Sequence, residues 1–132
     1  MRKRSSNKSK SVIYPGFLHL HKPLLLCPDF QSLNAHSLKL LICIGSQYNG
    51  YNNGDLAATR KVLKKLGWFS TSNQLLTKCL KELQDKNLII LTKQGGLHMG
   101  PNLFALMWQP IDECSGKLDV EPTSTPPRSF SC

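Results

Sequence analysis

The chain is short of acidic residues, with 8 Asp and Glu against 17 Lys and Arg in 132 positions. Paired carboxylates for metal binding or acid–base work are therefore scarce. Four of the eight, Asp112, Glu113, Asp119 and Glu121, crowd into one stretch near the carboxyl end. Aromatic residues make up 8% of the chain, so platforms for stacking single-stranded bases are few. The five cysteines are an odd number without a CxxC pair, which argues against a disulfide scaffold or zinc knuckle and fits a reducing cytosol. No apolar run reaches the ~20 residues that span a bilayer. Met1-Arg2-Lys3-Arg4 is followed by the polar residues 5–11, where a secretory leader would be apolar. A cytoplasmic protein without membrane contact is expected. There is no Walker-type glycine loop and no supported Ser/His/Asp arrangement, so neither an enzyme nor a cofactor is expected. His19 and His21 have no further ligand at metal spacing.

What the chain has is positive charge, unevenly placed. Residues 1–109 hold fifteen Lys or Arg and four Asp or Glu, whereas residues 110–132 hold two and four. A basic body on a small domain attracts a polyanion. Four regions follow. Residues 1–11 form a basic arm too polar to bury anything, expected to be disordered. Residues 12–33 form an extension packing on the core, with a short strand at Phe17–Leu20 and helical turns on either side of Pro28. Residues 34–109 form the main domain. Residues 110–132 read as a flexible, acidic, Pro-rich tail beginning where Pro110 ends the fold.

Within the main domain, Asn34 is a good N-cap for a helix over 34–48, with Leu38, Leu41, Ile42 and Gly45 on one face, widened by Leu40 and Ile44. Leu56 and Ala58 read as the buried side of a minimal strand. Thr59 caps a helix over 60–66 that carries Arg60, Lys61, Lys64 and Lys65, and Gly67 ends it. Leu75, Leu76, Cys79, Leu80 and Leu83 form an apolar stripe on a third helix. Residues 88–93 and 102–109 then read as two strands joined by a glycine-rich loop. Trp68 and Trp108 are expected as core anchors, and Cys43 and Cys79 as small core residues.

Helix, short strand, helix, turn, helix and hairpin is the layout of a winged helix-turn-helix: a mainly α, α+β fold in which a hairpin closes a three-helix core. Its last helix fits a major groove about 12 Å wide. Ser72, Asn73, Gln74, Thr77, Lys78 and Lys81 would then face the DNA. Asn and Gln can read adenine edges, while Lys and hydroxyls suit phosphates. Arg60, Lys61, Lys64, Lys65, Lys93 and His98 are further candidates, and the arm carrying Arg2, Lys3 and Arg4 could enter a minor groove.

Several segments, in this order, resemble the helix-turn-helix domain proteins of proteobacterial prophages and plasmids. They are Tyr48-Asn49-Gly50, Asn53-Gly54-Asp55-Leu56, Gly67-Trp68, Leu80-Lys81-Glu82-Leu83, Asn87-Leu88-Ile89, Lys93-Gln94-Gly95-Gly96, Trp108 and Ile111-Asp112-Glu113. The plan is similar to the winged-helix modules of plasmid replication initiators. The resemblance implies double-stranded DNA binding, as a transcription regulator or replication factor. Wings of that pattern are often Arg-rich, whereas this one reads Gly95-Gly96-Leu97-His98-Met99-Gly100. The helices and the amino-terminal arm should therefore supply most of the affinity. Two competing classes are a module that binds and inhibits a host protein complex, docking through residues 110–132, and a duplex-RNA binder. Monomer and homodimer both stay open, with residues 17–33 serving as core cover or dimer face.

Overall fold

Three side-chain caps set the frame of the protein. In the computed structural model, which describes residues 16–130, Asn34 Oδ1 accepts from His36 N at 2.8 Å. Thr59 Oγ1 accepts from Val62 N at 3.2 Å, and Ser72 Oγ accepts from Leu75 N at 3.1 Å. Each satisfies one of the amide donors a helix start leaves unpaired. The capped helices are α3 (Ala35–Gly45), α4 (Arg60–Lys65) and α5 (Asn73–Asp85). Before them come two single turns, α1 (Lys22–Leu25) and α2 (Pro28–Gln31). Pro28 opens α2 at its first position, where its missing N–H costs nothing.

The sheet has strands β1 (Leu56–Ala57), β2 (Ile89–Lys93) and β3 (Leu103–Leu106). All pairings are antiparallel and the order is β1-β3-β2. The protein is thus a small α+β domain with five α-helices and a three-stranded antiparallel sheet among the described residues. No helix among them is long and apolar enough to cross a membrane. The core lies between the helices and the sheet. Leu40, Leu41 and Ile44 of α3 meet Leu76, Cys79 and Leu83 of α5, over Leu56, Phe104 and Leu106 of the sheet. Each fully buried Leu or Phe is worth roughly 1.5–3 kcal/mol of transfer free energy. Trp68, Trp108, Cys43 and Cys79 are all buried, as expected of core residues.

Three sequence expectations need correction. The first concerns α3, which is rotated. Leu38 and Ile42 face solvent, while Ser37, Leu40, Leu41, Cys43, Ile44 and Gly45 are buried. The Ser37 hydroxyl donates to the Glu82 carboxylate on α5, and Gly45 sits so close to Leu18 that a Cβ would lie 2.9 Å from Leu18 Cδ2. These contacts turn that side inward. The second concerns residues 17–20, which form no strand. Leu18 and Leu20 do pack on the core and Phe17 and His19 do point outward, but the segment pairs with no strand of the sheet. Instead His19 O accepts from Trp108 Nε1 at 3.0 Å.

The third is the largest. The fold does not end at Pro110, and residues 110–130 are not a free tail. Ile111 is buried, and its N–H donates to Thr123 Oγ1 at 2.9 Å. Asp112 N donates to Asn53 O at 2.8 Å, and Asp112 Oδ2 accepts from Asn53 N at 2.8 Å. Further on, Asp119 N donates to Thr92 O at 2.7 Å and Asp119 Oδ2 accepts from Gln94 N at 3.0 Å, so the strap is pinned to the carboxyl-terminal end of β2. Occupying those backbone groups keeps them from pairing with other chains. Arg128 then reaches the amino-terminal turns, pairing with Asp29 at 2.6 Å and donating to Lys86 O at 2.7 Å. The proline and serine content that reads as flexible is that of an extended strap held at several points.

Asn53 is the anchor of the strap. It is fully buried. Its Nδ2 donates to the carbonyls of Leu106, Gln109 and Pro110 at 3.0, 3.1 and 2.9 Å, and its Oδ1 accepts from Leu106 N at 2.7 Å. Its neighbour Gly54 has φ 123°, and a Cβ there would lie 2.5 Å from Leu118 Cδ1. The Asn53-Gly54 pair is thus required both by backbone conformation and by the strap lying on it.

Candidate nucleic-acid interface

α5 presents a polar outer face because its apolar stripe is used up against α3 and the sheet. Ser72, Asn73, Gln74, Thr77, Lys78 and Lys81 are all exposed. They differ in how free they are. Ser72 Oγ is occupied as the cap of α5. Asn73 Oδ1 accepts from Arg60 Nη1 at 3.1 Å, which ties the start of α5 to the start of α4. Lys81 pairs with Asp85 at 2.9 Å, an exposed i,i+4 pair of small energetic weight. Gln74, Thr77 and Lys78 are exposed without such ties among the described residues. Thr77 and Lys81 also line a groove of about 440 Å³ between α5 and the hairpin, shared with Gln84, Leu91, Asn102 and Phe104.

The cations of α4 form the second part. Arg60, Lys61, Lys64 and Lys65 are exposed, and none forms an ion pair among the described residues. Beside them the turn between α4 and α5 exposes Phe69 at 58%. Its ring packs against Trp68 and His36 at centroid distances of 4.9 and 5.0 Å. Trp68 is buried, and its indole N–H has no acceptor among the described residues. An unpaired buried donor costs roughly 1–3 kcal/mol. Sequence reasoning missed Phe69, Ser70 and Thr71 as part of this edge. A short polar stretch carrying one aromatic looks like connecting loop, and only the fold shows that it lies against the α4 cations.

The wing differs from the helical edge. Gly96 N donates to Gly100 O at 3.2 Å, and a Cβ on Gly95 would lie 2.5 Å from that same oxygen, so the loop is a narrow, backbone-closed turn. At its tip, His98 takes φ 64°, between Leu97 and Met99, which are 86% and 59% exposed. Lys93 Nζ donates to Lys117 O at 3.2 Å, so this charge is drawn to the strap rather than the wing tip. The fold therefore groups the candidates on α4 and α5 and leaves Lys93 and His98 apart. Arg2, Lys3 and Arg4 lie outside the described residues.

Two carboxylates have shifted pKa values, Glu82 on the inner side of α5 and Asp112 on the strap at Asn53. Burial alone would raise Glu82, but hydrogen bonds from Ser37, Lys86 and Asn34 N, with the Lys86 charge, hold it below the usual range. Asp112 is raised by burial, only partly offset by the hydrogen bond from Asn53 N. Among the described residues, no group of three or more His, Cys, Asp or Glu is placed to hold a metal. No family model, curated protein or solved structure matches the chain.

Proposed function

We propose that this protein is a winged helix-turn-helix module that binds double-stranded DNA, with α5 in the major groove and α4 on the backbone. The observation that carries the reading is the edge formed by α4, the turn and α5. It groups Arg60, Lys61, Lys64, Lys65, Gln74, Thr77 and Lys78 at the surface, and both carboxylates of the two helices are engaged, exposed Asp85 by Lys81 and half-buried Glu82 by Lys86. The element order and the β1-β3-β2 sheet suit that fold, since β1 closes the sheet from the helical side and the hairpin ends in a wing. Lysines and arginines on such an edge neutralise phosphates, and Gln74 is the side chain free to read a base edge. The resemblance to prophage and plasmid helix-turn-helix proteins suits a regulator or replication factor.

The test is duplex binding measured by anisotropy between 50 and 200 mM salt. Contact with about five phosphates gives a log–log slope near −4 to −5. Lys78→Ala with Lys81→Ala lowers affinity for every sequence, and Gln74→Ala relaxes sequence choice. Binding that is absent, or unchanged in these variants, overturns the reading.

A second reading is a protein-binding module, favoured by one observation: the exposed Leu97 and Met99 at the wing tip. A host complex would then meet the wing. The strap at 110–130 is held against the domain and is not free to serve as a docking peptide. Capture of a protein partner that survives nuclease treatment and is lost in Leu97→Ser with Met99→Ser would favour this reading.

A further inference from the structure

Between α4 and the turn after it lies a cavity of about 250 Å³. Arg60, Lys61 and Lys64 line one side, and residues 68–71 line the other. Among the described residues no carboxylate lines it, and Arg60 makes one side-chain bond, to the neutral Asn73 amide oxygen at 3.1 Å. Ser70 Oγ accepts from Ser72 N at 3.0 Å, which leaves its hydroxyl proton to donate into the cavity. Trp68 is also in the lining, with its indole nitrogen enclosed and without an acceptor among the described residues. Guanidinium and ammonium groups are donors only. A cavity walled by cations and hydroxyls calls for an anion with several acceptor oxygens.

We propose that this cavity seats a phosphate group. Arg60, Lys61 and Lys64 supply the charge, the Ser70 and Thr71 hydroxyls donate to its oxygens, and the Trp68 indole forms the wall behind them. The exposed Phe69 ring forms the apolar rim. The source of the phosphate is a strand of the duplex, and this part rests on the DNA-binding reading. At this position the phosphate fixes the backbone relative to the start of α5, since Arg60 also holds Asn73 there. One bound phosphate would thus set the register in which Gln74 and Lys78 meet the bases.

The full chain has two tryptophans, and so two indole N–H resonances in a nitrogen-15 proton spectrum, assigned by sequence-specific methods. Sodium pyrophosphate is titrated against sodium chloride of equal ionic strength, and a 20-base-pair duplex is titrated in parallel with its binding followed by anisotropy. The Trp68 resonance, from an indole in the cavity wall, should shift saturably with pyrophosphate and with duplex, while that of Trp108, outside the cavity and bonded to His19 O, stays in place. Arg60→Ala with Lys64→Ala should weaken pyrophosphate binding at least tenfold in a protein whose amide spectrum remains that of the folded chain. A saturable pyrophosphate response without duplex binding supports the phosphate site and overturns the DNA reading. Duplex binding with an unmoved Trp68 resonance does the reverse. A Trp68 response that chloride reproduces, or that survives the double substitution, overturns the site.

Discussion

The α4–turn–α5 edge and the hairpin edge are built from opposite chemistry. The first carries cations that meet no carboxylate among the described residues, apart from Lys81 with Asp85. The second is bound by the strap that holds half of the chain's acidic residues, and there Lys93 and Lys117 are already engaged, with Lys117 pairing with Asp55 at 2.8 Å. One edge is therefore available to a partner and spends little on holding the fold. The other is committed to the fold and offers a partner only an apolar wing tip. Charge on this protein predicts binding only where the structure leaves it unspent.

The comparison breaks most visibly at Asn53. Asn53→Ala leaves the carbonyls of Leu106, Gln109 and Pro110 and the N–H of Leu106 without their partner. Each buried group so stranded costs about 1–3 kcal/mol, and water entering the site recovers part, so a net loss of about 3 kcal/mol is expected in urea denaturation. Duplex affinity of the folded fraction should stay unchanged. Next in size is Arg60→Ala, Lys61→Ala and Lys64→Ala together. The salt slope should fall by about 2.7 and duplex affinity by about 10–30-fold at 0.1 M salt, with the melting temperature nearly unmoved. Leu97→Ser with Met99→Ser should change duplex affinity by less than about twofold, since neither residue carries charge to a phosphate.

Arg128→Ala comes third. It removes the Asp29 pair, the bonds to the Lys86 and Asn87 carbonyls, and the stacking of the guanidinium 4.5 Å from the Phe130 centroid. Because the pair is partly exposed, the expected loss is about 1 kcal/mol. The smallest effect separates the two edges by pH. The folded pKa of Glu82 is depressed, so its contribution is present above the unfolded value of about 4.3 and is lost as pH falls through its lower folded value. Asp112 is raised, so its contribution is complete below about 3.9 and is lost as pH rises through its folded value. Stability measured from pH 3 to 7 should lose its acid-side fall in Glu82→Gln and its opposite drift in Asp112→Asn.

The helical half was legible in the sequence because its signals are local. Asn34, Thr59 and Ser72 cap helices within three residues of themselves, and the Leu75–Leu83 stripe declares one buried face. What was not legible depends on distant partners. The rotation of α3 comes from Ser37 meeting Glu82, 45 positions away. The strap depends on Asn53 meeting residues 106–112, and Arg128 on Asp29, 99 positions away. Composition reports only that residues 110–130 are polar and rich in proline, which suits a solvated tail and an extended strap equally. Within the candidate site, the residue types on α4 and α5 were legible, but their engagement was not. The Arg60–Asn73 bond engages an expected base reader and the cap at Ser72 an expected phosphate contact, and the turn contributes an aromatic and two hydroxyls that no periodicity marks.

The strap also fixes the order in which the protein can be completed. The helices can close once residue 85 has been made, but the end of β2 stays unpinned until the strap has been made, and Asn53 has no Gln109 or Pro110 carbonyl to hold until those residues follow. At about 5–20 residues per second, that interval on the ribosome lasts seconds, far longer than a helix takes to form. During it, the strap of a neighbouring nascent chain can pin the same end of β2 as well as its own can. A domain-exchanged dimer joined through residues 110–130 is thus the characteristic misassembly that this architecture invites at high expression.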